Sequence, residues 1–576
     1  MNSSKTTIKS QISIKYVIIS LASIISISLI LKLYTTDFSI PVFSDNLSYA
    51  LSAIAHVNGD FSQSSHRGIG WSIFVAIFYS FINSENFLVY SNAIKIISLA
   101  VASSTIFLVY LLGRKFFDQR YSLVIAGLFA FVPHLNYNSG FGLSEPLSHL
   151  TLIAAFYFVI NKNTKFIIPS LLLAGILWWI KFNEIFVLFI LIIIYFVTKR
   201  NSPNLYRNLF MGILIFLAVV SPMLYDRYEQ FGDPFFYAYS SYIFTGSWEK
   251  IISIEVGHGQ ENQTTTAFDF IDENGFPSFI QTIILNGIYN ILSVLWKISF
   301  PYLFILIPFG IIFSFRAFDQ DKKLVSANWL FIILSLGSLI LVFSLIPDKR
   351  HLYYIFPFLI IFCTIPIQRV TEYGLSTFSF SQKQKSIFLV IVVAIALVLS
   401  AWFTLRYDVS DPLLENEKYE FAEYVAQNFD GNSLREFGIS LDYLNLVYVE
   451  NSPESFKNCK VGSKELCNYD KSNGDLNRIT IIGNSVEEII TKGETYDLKY
   501  IIANKEKNDF HGFIDDIYHH EEKYPYLKKI FDSSNQGFEK LKIKVFEIDY
   551  KKFNKLLNEL LIFIYPFIIQ IIINFE

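Results

Sequence analysis

The chain alternates between long apolar runs and short polar loops, and the run lengths set its class. Stretches such as FIIPSLLLAGILWWI and SIFLVIVVAIALVLSAWF approach the roughly 20 apolar residues that a helix needs to cross a bilayer. Apolar spans are predicted near 16–34, 88–112, 121–137, 146–160, 166–180, 184–198, 208–225, 301–315, 324–346, 352–368 and 386–405, eleven in all. The run IGWSIFVAIFYSFI (69–82) is short for a full crossing. It is predicted to lie in, or dip into, the membrane surface, and the segment 279–299 gets the same reading.

After residue 405 the pattern changes. About 150 residues are rich in charge, with few long apolar runs. EKYEFAEYVAQNF has helical periodicity, NRITIIG, LKYIIAN and KLKIKVFEI read as strands, and SVEEIITKG reads as a helix between the first two. The tail 556–576 is apolar again and reads equally as a twelfth span or a surface helix. The predicted architecture is a polytopic α-helical membrane protein with about 11, possibly 12, transmembrane helices. It has a long first outer loop containing surface helices, and a small outer α/β domain. The divisions fall at 1–405, 406–552 and 553–576.

Composition supports this class. The chain is 52% hydrophobic and only 17% charged, against about 25% charged in ordinary soluble domains. A net charge of −3 without a basic block gives no reason to expect nucleic acid as a partner. The lysines at 5, 9 and 15 precede an apolar run with no small-residue cleavage site after it, so a retained anchor is expected. Cys363 falls in an apolar span. Cys459 and Cys467 lie in the hydrophilic region, where a disulfide and two free thiols both remain open.

Charge then sets the sidedness. The loops 113–120, 161–165, 199–207, 316–323 and 381–385 are basic, which assigns them to the cytoplasm. All nine histidines then fall outside, with Asp45, Arg67, Glu145, Lys181, Glu184, Asp348 and Arg350. An acid beside a membrane is costly unless it has a partner or a task, and Asp45 in SDNLSYA is the most telling. Glu145 and His149, four apart, share a helix face, so with Asp45 they form a weak candidate set for a divalent metal. The bland readings are a local Lys181–Glu184 ion pair and Lys349 and Arg350 snorkelling at the interface. No Gly-rich phosphate loop and no Cys-x-x-Cys pair occurs.

Six motifs run in order along this side. They are SDNLSYALSAI, HRGIGWSIFVA, FVPHLNYNSGFGLSEPL, WWIKFNEIF, SPMLYDRYEQFGDPFFY and DKRHLYYIFPFLIIF. Over about residues 10–405 the chain resembles the GT-C superfamily of integral-membrane glycosyltransferases, in the style of protein O-mannosyltransferases and lipid A aminoarabinose transferases. Where that family often has prolines near 66–72, this chain has none.

The resemblance implies transfer of a sugar, with inversion, from a polyprenyl-phosphate carrier (dolichyl-phosphate-mannose-like) to a hydroxyl acceptor on protein, lipid or glycan. The site would lie on the outer face of the plasma membrane, with the C-terminal domain on the same side. Asp45 would be the general base, with Glu145 holding sugar hydroxyls or orienting it. Arg67, Arg350, His351 and Lys181 would face the donor phosphate. His66, His149, Glu184 and Tyr49 would contact substrate or metal. No cofactor is required with certainty; a divalent metal stays open. The expected partners are the lipid-linked donor, the acceptor and membrane lipids. An oligosaccharyltransferase is disfavoured, because Trp178-Trp179 sits in a span without a following Asp. The competing class is a membrane transporter or lipid-sugar flippase, which would place its ionisable residues nearer mid-membrane.

Overall fold

The computed structural model describes residues 13–64, 67–237, 244, 266–316, 320–407, 411–434, 443–451, 476–505 and 512–559. His66, His258, His511, Cys459, Cys467 and the tail beyond 559 lie outside the described residues. The chain divides into two compact units, one holding the described residues up to 407 and the other those from 411 onward.

The first unit is helical. Its first half holds α1 (Ile14–Tyr34), α2 (Ser44–Val57), α3 (Gly70–Tyr79), α4 (Phe87–Phe116), α5 (Gln119–Ala130), α6 (Pro133–Ser139), α7 (Glu145–Val159), α8 (Ile167–Ile180), α9 (Phe186–Lys199) and α10 (Leu205–Phe231). Then follow α11 (Ala267–Asn274), α12 (Phe276–Ser299), α13 (Leu303–Ser314), α14 (Lys322–Leu345), α15 (Phe356–Arg369) and α16 (Gln382–Tyr407). The ends are written into the sequence. Asn86 caps α4 by accepting from the Leu88 N–H, and Asp118 caps α5 by accepting from Arg120 and Tyr121. α15 is apolar nearly all round and is buried nearly all round. Its Phe358 packs between Phe156 of α7 and Phe331 of α14.

Among the described residues eight helices are long and apolar enough to cross a membrane, and four more apolar helices are shorter. Seven of the eight coincide with predicted spans. The predicted spans 146–160, 166–180 and 301–315 are among the shorter helices. The predicted span 121–137 is two helices, because Pro133 starts a new helix rather than continuing the old one. The short run at 69–82 forms the ten-residue α3. The eighth long helix, α12, was expected from 279 onward as a surface or dipping segment. It begins earlier, because Pro277 sits in its first turn where it does not break the helix. Its 24 residues reach about 36 Å at 1.5 Å per residue, enough for a crossing.

Helix direction separates two ends. α7 and α15 run from one end to the other, and α8 and α14 run back. The basic loops meet at one end. Arg120 donates to Glu372 (3.1 Å) and Gln382 (2.9 Å), Lys385 to Glu372 (3.2 Å), and Asn208 to Thr164 (2.8 Å). Lys199 stands close enough to Lys115, Lys162 and Lys323 to interact with each. The starts of α7 and α15 and the ends of α8 and α14 mark the opposite end. α12 runs alongside α14 in the same direction: Gly287 faces the Ile340 carbonyl, and three residues on, Asn290 donates to the Phe343 carbonyl (2.9 Å).

The second unit is an α/β layer structure. Its five strands, β1 (Gly431–Leu434), β2 (Leu476–Ile479), β3 (Leu498–Asn504), β4 (Leu527–Asp532) and β5 (Ile543–Ile548), lie in the order β2-β1-β3-β5-β4. β1 pairs in parallel with β2 and β3, while β5 pairs antiparallel with β3 and β4. Side chains alternate across the sheet. Ile501 and Ala503 face α19 (Val486–Glu494) and α20 (Ile514–His519); Tyr500 and Ile502 face α17 (Pro412–Asn428) and α18 (Leu444–Glu450). The three predicted strands and both predicted helices are present, whereas β1 and β4 were not anticipated. β1 is four residues long, and β4 (LKKIFD) carries two lysines that break its apolar pattern.

Glu417 of α17 fixes the turn before β5. Its carboxylate accepts the backbone N–H groups of Glu539, Lys540 and Leu541 at 2.6–2.9 Å. Burial pushes the carboxyl up, but these three donors more than offset it and hold it below the ordinary glutamate value. The stabilisation is therefore present above the unfolded value of about 4.3 and is lost as pH falls through the lower folded value. Glu417→Gln, which removes the charge, is expected to destabilise the second unit by about 1–3 kcal/mol, read as a lowered unfolding midpoint at neutral pH. The difference from wild type should shrink on acidification.

Candidate active site

The site is assembled at the end of the first unit opposite the basic loops. Asp45 sits in the first turn of α2, where an acid suits the helix dipole. Its Oδ1 accepts from Arg67 at 2.5 Å and its Oδ2 from Arg350 at 3.2 Å. Arg350 opens a short 3-10 turn, Lys349–Ile355, capped by Asp348. The Asp348 carboxylate accepts from the Arg350 backbone N–H (2.8 Å) and from its Nε (2.6 Å), which aims the guanidinium at Asp45. Tyr49, one helical turn after Asp45, lies under the Arg67 guanidinium (5.8 Å) and meets Ser144 through its hydroxyl (3.4 Å).

Burial pushes the Asp45 carboxyl up. Arg67 and Arg350 outweigh this through charge and hydrogen bonds and hold it below the ordinary aspartate value. Asp45 is therefore an ionised acceptor at neutral pH. It keeps 38% of its side-chain surface open, so a substrate can reach it.

A second ion pair lies behind the first. Glu145 starts α7 and accepts from Lys181, which ends α8, at 2.9 Å. Glu145 is buried, Lys181 is half-buried, and the Glu145 Oε2 has no hydrogen-bond partner. Lys181 is thus given to Glu145, not to Glu184 as a local ion pair. Glu184 instead accepts from Ser148 (2.9 Å) and leaves its other oxygen unpartnered. His351 lies within electrostatic range of Lys181, Asp348, Arg350 and Glu145. His149 lines a small cavity with Lys32 and Asn136 and also lies within electrostatic range of Lys181 and Glu145. The structure brings together Asp45, Tyr49, Arg67, Glu145, Lys181, Arg350 and His351; Glu184 and His149 stand one layer back.

Close backbone packing makes this possible. A Cβ on Gly68 would collide with the Trp179 and Ile180 carbonyls, and one on Gly70 with the same stretch of backbone. These glycines seat the Arg67 segment directly on the end of α8, beside Lys181. Arg227, which sequence reasoning did not single out of SPMLYDRYEQFGDPFFY, holds the preceding residues. Its guanidinium donates to the Ser64 carbonyl (3.2 Å), Gln63 (3.3 Å) and the Phe236 carbonyl, and covers the Phe182 ring at 4.3 Å. The signal available was an arginine flanked by tyrosines, Tyr225 and Tyr228, beside aromatic residues at the end of an apolar helix.

The metal reading does not fit this arrangement. Among the described residues no three His, Cys, Asp or Glu side chains converge. Both Asp45 oxygens face guanidinium groups, and His149 faces a lysine-lined cavity rather than Asp45.

Comparison with known proteins bears on the fold. The model of the dolichyl-phosphate-mannose-protein mannosyltransferase family matches residues 73–225, a stretch that includes Glu145 and Lys181. No curated protein sequence matches. Among solved structures, the apo oligosaccharyltransferase of Archaeoglobus fulgidus aligns with a TM-score of 0.55 at 12% identity, over 85% of this chain and 70% of that one. The same archaeal enzyme with an inhibitory peptide and a dolichol-phosphate aligns with a TM-score of 0.52 at 12% identity, over 84% and 69%. ArnT from Cupriavidus metallidurans, bound to undecaprenyl phosphate, aligns with a TM-score of 0.50 at 11% identity, over 93% and 98%. The chain has the fold of the GT-C integral-membrane glycosyltransferases.

The Glu145–Lys181 pair is testable on its own. Lys181→Met leaves a buried carboxylate uncompensated and is expected to destabilise the first unit by about 3–5 kcal/mol. Adding Glu145→Gln should recover most of that loss, measured as the unfolding midpoint of the detergent-solubilised chain.

Proposed function

We propose that the chain is a glycosyltransferase that moves a sugar, with inversion, from a polyprenyl-phosphate carrier to a hydroxyl on protein, lipid or glycan, at the extracytoplasmic face. The observation that carries this reading is one carboxylate held between two guanidiniums at the end of a GT-C membrane bundle. The undecaprenyl phosphate bound to ArnT and the dolichol-phosphate bound to the archaeal enzyme support the donor class.

The chemistry follows from the residues. The acceptor hydroxyl is a poor nucleophile, and Asp45 takes its proton as the oxygen–carbon bond forms. The anomeric carbon–oxygen bond breaks at the same time, and its electron pair leaves on the lipid phosphate. Arg67 and Arg350 meet that growing negative charge with paired N–H donors. The same two arginines clamp Asp45 before the donor arrives. Phosphate competes for them, so donor binding loosens the clamp and raises the proton affinity of Asp45 when a base is needed. Glu145 is buried behind Asp45 and paired with Lys181, so it acts by orienting the cluster around Asp45.

Asp45→Asn in the purified chain should lower release of polyprenyl phosphate from lipid-linked sugar on the order of 10²–10⁴-fold. Full retained activity would sink the general-base role. Transport of the lipid-linked sugar without turnover by wild type would favour the transporter reading.

The pH profile gives a separate check. Because Asp45 is held below its ordinary value, the acid limb of kcat/KM should lie below about pH 4. Arg350→Gln removes one of the two cations and should move that limb to higher pH. An unmoved limb would mean that another group titrates.

A further inference from the structure

A second apolar site lies at the other end of the bundle. Between α1, α5 and α16 runs a groove of about 440 Å³, within the roughly 300–1,000 Å³ typical of ligand pockets. Its walls are Ile19 and Ile27 of α1, Val124 and Phe131 of α5, and Leu389 and Leu397 of α16. From Tyr16 to Ile27 it follows α1 for about 16 Å at 1.5 Å per residue. That matches one leaflet, half of a hydrocarbon core of about 30 Å.

The mouth of the groove is polar and cationic. Arg120 and Ser386 line it, and Lys15, Lys383 and Lys385 stand next to its lining residues in sequence or across the loop. Asp118 and Glu372 pair there with Arg120, and Glu372 also with Lys385; the exposed Lys15 and Lys383 add two further cations at that end. The Arg120 Nε is buried and has no hydrogen-bond partner. An acyl chain fits the groove, and an anionic headgroup matches the excess positive charge at its mouth. The groove is far from Asp45 along the helices: Arg120 begins α5 among the basic loops, while Asp45 lies at the opposite end.

We propose that this groove binds one acyl chain of an anionic phospholipid from the leaflet beside the basic loops. The lipid is a resident of the bundle and not the sugar donor. It fills the space between α1 and α16, each of which packs directly against α5.

The test uses the full chain, reconstituted in vesicles of equal phosphatidylglycerol and phosphatidylcholine and extracted in mild detergent. Retained lipids are counted by native mass spectrometry. Wild type should keep one phosphatidylglycerol, favoured over phosphatidylcholine roughly fivefold or more; fivefold is about 1 kcal/mol, the contribution of one basic side chain. The pair Ser23→Trp and Ala394→Phe fills the groove from two exposed lining positions and should abolish retention. Arg120→Gln should keep a lipid but lose the headgroup preference. An adduct unchanged in the groove-filling pair would overturn the proposal, as would equal retention of the two phospholipids by wild type. Preferential retention of undecaprenyl phosphate, when it is added to the vesicles, would overturn the assignment to bulk phospholipid.

Discussion

Charge inside or beside an apolar bundle must be matched, and the first unit is organised around that requirement. Asp45 draws Arg67 from its own half of the chain and Arg350 from 305 residues away. Glu145 draws Lys181 across from the next helix. These pairs set the relative positions of α2, α7, α8 and the turn before α15. The glycines at 68 and 70 then follow as a necessity, since only a bare backbone lets the Arg67 segment sit on the end of α8. Arg227 serves the same assembly from the outside, tying residues 63 and 64 to Phe236.

The opposite end obeys the same rule with looser geometry. There Glu372 collects Arg120, Lys385 and the Tyr121 hydroxyl, joining α5 to the segments that flank the loop before α16. The two ends differ in purpose because they differ in balance. At the basic end cations exceed their partners, whereas at the Asp45 end acids and cations are matched one to one. The bundle thus carries a charged rim at one end and a paired ionic cluster at the other.

Much of this was legible in the sequence. Apolar run length located nearly every long helix, and the shortness of 69–82 anticipated α3. Loop charge grouped Asp45, Glu145, Lys181 and Arg350 at one end, where the structure brings them together. Pairing was not legible, because it depends on how helices rotate against one another. Lys181 and Glu184 are three apart and looked like natural partners, yet α7 places Glu145 against Lys181 and Ser148 against Glu184. The start of α12 was missed because Pro277 reads as a breaker unless its place in the first turn is known. Arg227 was missed because its partners are mostly backbone carbonyls, which leave no trace in composition. In the second unit, long apolar strands were readable and the short or lysine-bearing ones were not.

The ion-paired groups at the site number three acids, Asp45, Glu145 and Asp348, and three cations, Arg67, Lys181 and Arg350. The paired cluster is therefore close to electroneutral. It casts little field into the surrounding water and does not pull in free phosphates or nucleotides from a distance. An anion enters only by trading places with a carboxylate already there, at contact range. Ionic strength, which governs long-range capture, has little hold on such an encounter.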